Sequence, residues 1–183
     1  MTYEAAIAKA WEAFDAVASS DLTTVTFLAD TYEVRRNERK VVSVSCGTPA
    51  KEQLGILILH TIAGSLRGHF SPSGQWISFK EIEGGSFYYS AFREGTISPL
   101  LRKYGASPER ILDVLGRFRG KRIEGGDAAI ELVTFPDVSV RIILWRGDDE
   151  VGPEATMLFD RNITKIYPME DVAVFSRVVV HQL

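Results

Sequence analysis

The chain has 183 residues, 45% of them hydrophobic and 25% charged, with a formal net charge of -3. That is the composition of a folded chain rather than a disordered one, and the length suits one domain that needs no staples. The slight excess of acid excludes a general electrostatic grip on nucleic acid or anionic lipid, and the single cysteine, Cys46, excludes an intramolecular disulfide or an all-thiolate metal site built from this chain alone.

Tyr3, Ile7, Ala10, Trp11, Phe14 and Val17 recur at steps of three and four, which predicts an amphipathic opening helix ending near Ser19-Ser20. Met1-Thr2-Tyr3-Glu4 has the character of neither a basic n-region nor an apolar h-region. The greasiest stretch, Leu54 to Leu66, is shorter than the ~20 residues a bilayer requires, so the expected setting is cytoplasmic, without membrane contact. Val25 and Phe27 alternate with threonines. Tyr32 to Val34 and Val42 to Cys46 flank the polar turn at residues 35–40, predicting a meander with a hairpin. Gly47-Thr48-Pro49 then opens a helix over about 50–66 with almost no polar face, which predicts burial on most sides.

Residues 68–74, with Pro72 and two glycines, read as a loop, and residues 76–82 alternate as a strand until Gly84-Gly85. The helical stretch that follows is expected to break at Pro99, resume through Leu100-Leu101 and stop at Gly105. Ser107-Pro108-Glu109 supplies the cap, the proline and the early acid of another helix reaching about Leu115. Residues 116–126 are glycine-rich and basic and read as a loop. Ala128 to Phe135 and Val138 to Trp145 predict a second hairpin across Pro136-Asp137, and Ala155 to Phe159 a short strand or turn. A closing helix from Pro168 or Met169 carries Glu170 and Asp171 in its first turn and buries Val172, Phe175 and Val179, although Val178-Val179-Val180 has competing strand propensity. The expected fold is α+β: one domain over 1–183, with antiparallel hairpins packed against several helices and the 50–66 helix central.

Several segments together resemble a family catalogued as domain of unknown function 3786. They are Trp76-Ile77-Ser78-Phe79-Lys80-Glu81 running into Gly84-Gly85, Phe135-Pro136, residues 145–150, Leu158-Phe159-Asp160, and Pro168-Met169-Glu170-Asp171 with Ala173-Val174. Departures fall near Glu83, Val151-Gly152 and Met169. The resemblance implies a shared fold and a setting in anaerobic bacteria and archaea, where some relatives resemble accessory proteins of iron-sulfur and corrinoid metabolism. It implies no reaction. The cysteine-rich segment of those relatives has no counterpart in this sequence.

The candidate site residues fall into separate groups. Asp148, Asp149 and Glu150 concentrate carboxylates after an apolar strand, where a hard divalent cation finds oxygen ligands, but adjacent acids also end strands by being soluble. Asp160 and the Glu170-Asp171 pair would join them if the last helix began beside that loop; helix capping is the alternative. His60 lies inside the apolar helix, as an axial ligand, a proton carrier or a satisfied core histidine. His69 and His181 share no zinc spacing with it, and Cys46 is either a nucleophile with His60 as its base or a structural thiol at a strand end. Trp76, Phe87, Tyr88, Tyr89 and Trp145 are either the walls of a flat, mostly apolar pocket or ordinary core. The basic run Gly116 to Arg122 lacks Walker spacing, which leaves it as a non-catalytic grip for a phosphate, RNA or an acidic partner.

From these groups the expected function is a non-catalytic ligand-binding or accessory module of anaerobic metabolism. Its site, His60, Trp76, Tyr88, Tyr89 and Trp145, would hold a corrinoid or tetrapyrrole-like cofactor, or dock on a cofactor-bearing protein. The alternatives are a metal-dependent enzyme using Asp148, Asp149 and Glu150, and a protein interaction module. Oligomeric state and ligand identity are not legible.

Overall fold

The computed structural model describes residues 3–68 and 70–183. His69 lies outside the described residues. Among the described residues, five α-helices, α1 (Tyr3–Asp15), α2 (Glu52–Leu66), α3 (Gly85–Phe92), α4 (Ser98–Tyr104) and α5 (Met169–Gln182), accompany eight strands. β1 (Leu22–Phe27), β2 (Asp30–Arg35) and β3 (Lys40–Ser43) form an antiparallel meander. β4 (Trp76–Ser78), β5 (Gly120–Arg122), β6 (Ala128–Phe135), β7 (Val138–Trp145) and β8 (Glu154–Asp160) form an antiparallel sheet in the order β4-β8-β7-β6-β5. The fold is α+β, and among the described residues no helix is long and apolar enough to cross a membrane.

Alternation builds the larger sheet. Val138, Val140, Ile142 and Leu144 are buried along β7 while Ser139, Arg141 and Ile143 are half-exposed, and Met157 and Phe159 continue the inner face on β8. The two sheets meet where the Leu28 amide donates to the Thr134 carbonyl at 2.7 Å and Phe27 packs on Phe135 with ring centroids 4.9 Å apart. Between sheets and helices lies one hydrophobic cluster, in which Leu57, Ile58 and Leu59 of α2 are fully buried, as the unbroken apolar pattern of that helix predicts. Trp11 and Phe14 of α1 join it from one side, and Phe175 of α5 joins it by stacking on Phe135 and packing at a tilt against Tyr167.

Several local expectations are corrected. α1 stops at Asp15, whose carboxylate is held by Arg36 and Arg39, and β3 stops at Ser43, where the chain turns. The strand expected over 76–82 ends at Ser78. There Glu81 accepts from both the amide and the hydroxyl of Ser78, at 2.7 and 2.8 Å, and winds residues 79–81 into a 3₁₀ turn. Pro99 does not break its helix. A π-turn over Arg93–Ile97 runs from α3 into α4 without a break, and Pro99 follows directly after it in the first turn of α4. The segment Pro108–Gly116 is 3₁₀ rather than α. The basic loop contains β5, an edge strand in which Lys121 pairs with Glu131 at 3.2 Å. Residues 154–160 are a full strand lying between β7 and β4.

The double glycine has two separate causes. Gly84 adopts φ +79°, the left-handed region, at the cap of α3, and a Cβ on Gly85 would lie 1.9 Å from the Phe79 carbonyl oxygen. That approach lets Phe92 stack on Phe79 with ring centroids 4.1 Å apart.

Candidate functional site

α2 and α5 lie side by side and antiparallel, and their seam gathers polar chemistry. His60 of α2 and Asp171 of α5, 111 residues apart in the chain, meet with Nδ1 2.7 Å from Oδ2, and each side chain remains about one-fifth exposed. A carboxylate acceptor requires Nδ1 to carry a proton, so the pair fixes the ring orientation and leaves Nε2 without a protein partner among the described residues. One residue on, Thr61 donates to the Leu57 carbonyl at 2.7 Å and accepts from the fully buried Tyr167 hydroxyl. Burial pushes the Tyr167 phenol above its ordinary range, so it stays a neutral donor. Gly64 completes the contact: a Cβ there would stand 3.3 Å from the Ile166 side chain.

The start of α5 also touches α3. A Cβ at Gly84 would stand 3.5 Å from the Met169 methyl, placing the first turn of α3 beside the first turn of α5. From that turn Phe87 projects with 93% of its surface exposed and Tyr88 with 54%. Tyr89 turns inward instead, stacked on Phe92 with the Lys80 ammonium 4.0 Å above its ring.

The other aromatics are dispersed. Trp76 is opposite Asp160 and Trp145 opposite Glu154 at the two ends of β8, a separation of roughly 20 Å at ~3.3 Å per residue. Trp76 carries the Arg141 guanidinium 4.1 Å from its ring, while Trp145 is partly exposed. These two tryptophans cannot wall one ligand with Tyr88 and Tyr89, which lie on α3.

The acidic run is a turn. Asp148 Oδ1 accepts from the amides of Val151 and Glu150 at 2.7 and 2.9 Å, which hold its carboxyl below the usual range. Asp149 and Glu150 are exposed beside it, and among the described residues no group of three or more His, Cys, Asp or Glu side chains is placed to hold a metal ion. Asp160 sits at the opposite end of β8 from this turn, so the two do not converge. It instead caps residues 161–165, accepting from the Asn162 amide at 2.9 Å. Asp171 serves His60 rather than a cap.

Cys46 is exposed, with Sγ 2.9 Å from the Thr48 hydroxyl, and does not meet His60. The basic run is partly spent inside the molecule: Arg117 lies over Phe118 and donates to the Gln182 carbonyl at 3.4 Å, and Lys121 is paired with Glu131.

Sequence reasoning singled out His60 and Asp171 separately but not their pairing, which depends on the antiparallel lie of α2 and α5. It did not reach Arg177, which with Lys51 and His181 lines a cavity of about 450 Å³ at the far end of the same seam. No curated protein and no solved structure matches the chain. A family model described as a domain of unknown function matches residues 7–182, and the chain therefore belongs to that family, DUF3786.

Proposed function

We propose that this chain is a non-catalytic ligand-binding module, an accessory protein of anaerobic metabolism, whose ligand meets His60 at the α2–α5 seam. The observation that carries this reading is the His60–Asp171 bond at 2.7 Å. An imidazole anchored through Nδ1 offers Nε2 in a fixed direction, the arrangement by which proteins hold a histidine for a metal-centred ligand. Ile56 and Val174, one helical turn from His60 and Asp171, are half-buried apolar neighbours that favour a largely apolar ligand body. A corrinoid or metal-bearing tetrapyrrole fits the imidazole. The dispersed tryptophans give it no aromatic walls, so the imidazole is the contact on which the reading stands.

The test is an anaerobic absorption titration with cobinamide and, separately, haemin, accompanied by native mass spectrometry. The reading expects a saturable one-to-one complex whose axial-ligand bands vanish in His60→Ala. A protein that leaves both spectra unchanged, or a His60→Ala variant that binds as well as the parent, overturns it.

One observation favours a second reading, docking on a cofactor-bearing protein. Phe87, with 93% of its surface exposed beside Tyr88, is an aromatic anchor without a pocket of its own. Under this reading Phe87→Ser abolishes complex formation with such a partner while His60→Ala leaves it intact.

A further inference from the structure

We propose that the cavity between the start of α2 and the end of α5 is a binding site for a small oxyanion, a carboxylate or a phosphate, with Arg177 as its principal ligand. The cavity, about 450 Å³, lies in the size range of small-molecule sites. Arg177, half-buried, lines it from α5 and makes no ion pair among the described residues, while its Nε is sealed off without an acceptor on the side of the π-turn. Its guanidinium lies against Gly95 of the π-turn, where a Cβ would come within 3.0 Å of Nε and 3.5 Å of Cζ.

A guanidinium cannot shed its charge, and a half-buried one without a counter-charge is a ready partner for an anion. Elsewhere the chain obeys this rule: the partly buried Arg36 is paired with Asp15 at 2.8 Å, and Arg141 with Glu131 at 2.8 Å. Arg177 makes no such pair among the described residues. The remaining walls suit an anion more than a cation. Lys51 stands at the cap of α2, and no side chain satisfies the first backbone amides of that helix. His181 and Gln53 add further potential donors. Glu52 is the one carboxylate in the lining, so Lys51 and Arg177 against Glu52 leave one net positive charge. The inference is independent of the His60 reading, because Gln53 and His60 are seven residues, about 10 Å, apart along α2.

The experiment is calorimetric titration of the full chain with inorganic phosphate and, in a separate arm, with succinate, at low ionic strength. Saturable one-to-one binding of at least one of them is expected, the arm that binds identifying the chemistry. Arg177→Gln should weaken it at least about tenfold and Lys51→Gln about threefold, since hydrogen bonds to charged groups exceed an exposed ion pair in strength. Should circular dichroism find Arg177→Gln unfolded, the exposed Lys51→Gln and the charge-retaining Arg177→Lys carry the test, both expected to weaken binding. No saturable binding in either arm overturns the proposal, as does unchanged affinity in the folded variants.

Discussion

Replacing Asp160 removes the joint that ties residues 73–75 to the larger sheet. Asp160 is 5% exposed, and among the described residues its carboxylate accepts from the Ser73 hydroxyl at 2.9 Å, the Gly74 amide at 2.8 Å and the Asn162 amide at 2.9 Å. In Asp160→Asn the amide nitrogen must face at least one of those donors, losing one charge-assisted bond worth about 1.5–3 kcal/mol and weakening the others. The expected loss is about 2.5 kcal/mol, a fall in Tm of roughly 5–10 °C for a chain of this size. Burial by itself would raise the pKa of Asp160, but the hydrogen bonds from residues 73, 74 and 162 outweigh it and the folded value is lowered. A depressed carboxylate contributes stability that is complete above its unfolded pKa, about 3.9, and is lost as pH falls through the folded value. Urea unfolding followed by tryptophan fluorescence should therefore find the gap between parent and variant full at pH 7 and closing below about pH 4. A gap under about 0.5 kcal/mol at pH 7, the level of an ordinary surface change, or one that widens in acid, refutes the reasoning.

Three further outcomes follow from the same geometry. Gly85→Ala, which drives a Cβ into the Phe79 carbonyl, should cost at least ~3 kcal/mol in denaturant unfolding, the upper end of overpacking effects, while Gly116→Ala, with open space around it, stays within about 1 kcal/mol. Phe87→Ser should leave the unfolding midpoint within about 0.5 kcal/mol of the parent, because the side chain is 93% exposed; a large loss would mean it is packed. A double-mutant cycle on His60→Ala and Asp171→Ala should return a favourable coupling of about 1 kcal/mol at pH 7, and a coupling of zero would dissolve the pair.

Where local pattern and tertiary environment agree, the fold was legible in the residues. The apolar runs on either side of Pro136-Asp137 placed β6 and β7 at their observed bounds, and the apolar run of α2 announced its central position. The alternation over 76–82 misled because the Ser78–Glu81 capping box competes with it, and that signal was present in the sequence as a serine three residues before a glutamate. β5 carries Gly-Lys-Arg with no apolar side chain, so only its pairing with β6 reveals it. β8 read only as a short strand or a turn because Met157-Leu158-Phe159 interrupts the alternation. The site was less legible. His60 was visible as an anomaly in an apolar helix, but Asp171 becomes its partner only through the packing of α2 on α5. The aromatics grouped by residue type are separated by the register of β8.

The most direct measurement of the central claim is a long-range ¹H–¹⁵N spectrum of the His60 imidazole in neutral to alkaline buffer, before and after addition of cobinamide. The account predicts a proton on Nδ1 and a bare Nε2 that alone shifts strongly when the corrinoid is added. A ring protonated on Nε2, or an Nε2 resonance indifferent to the ligand, would contradict it.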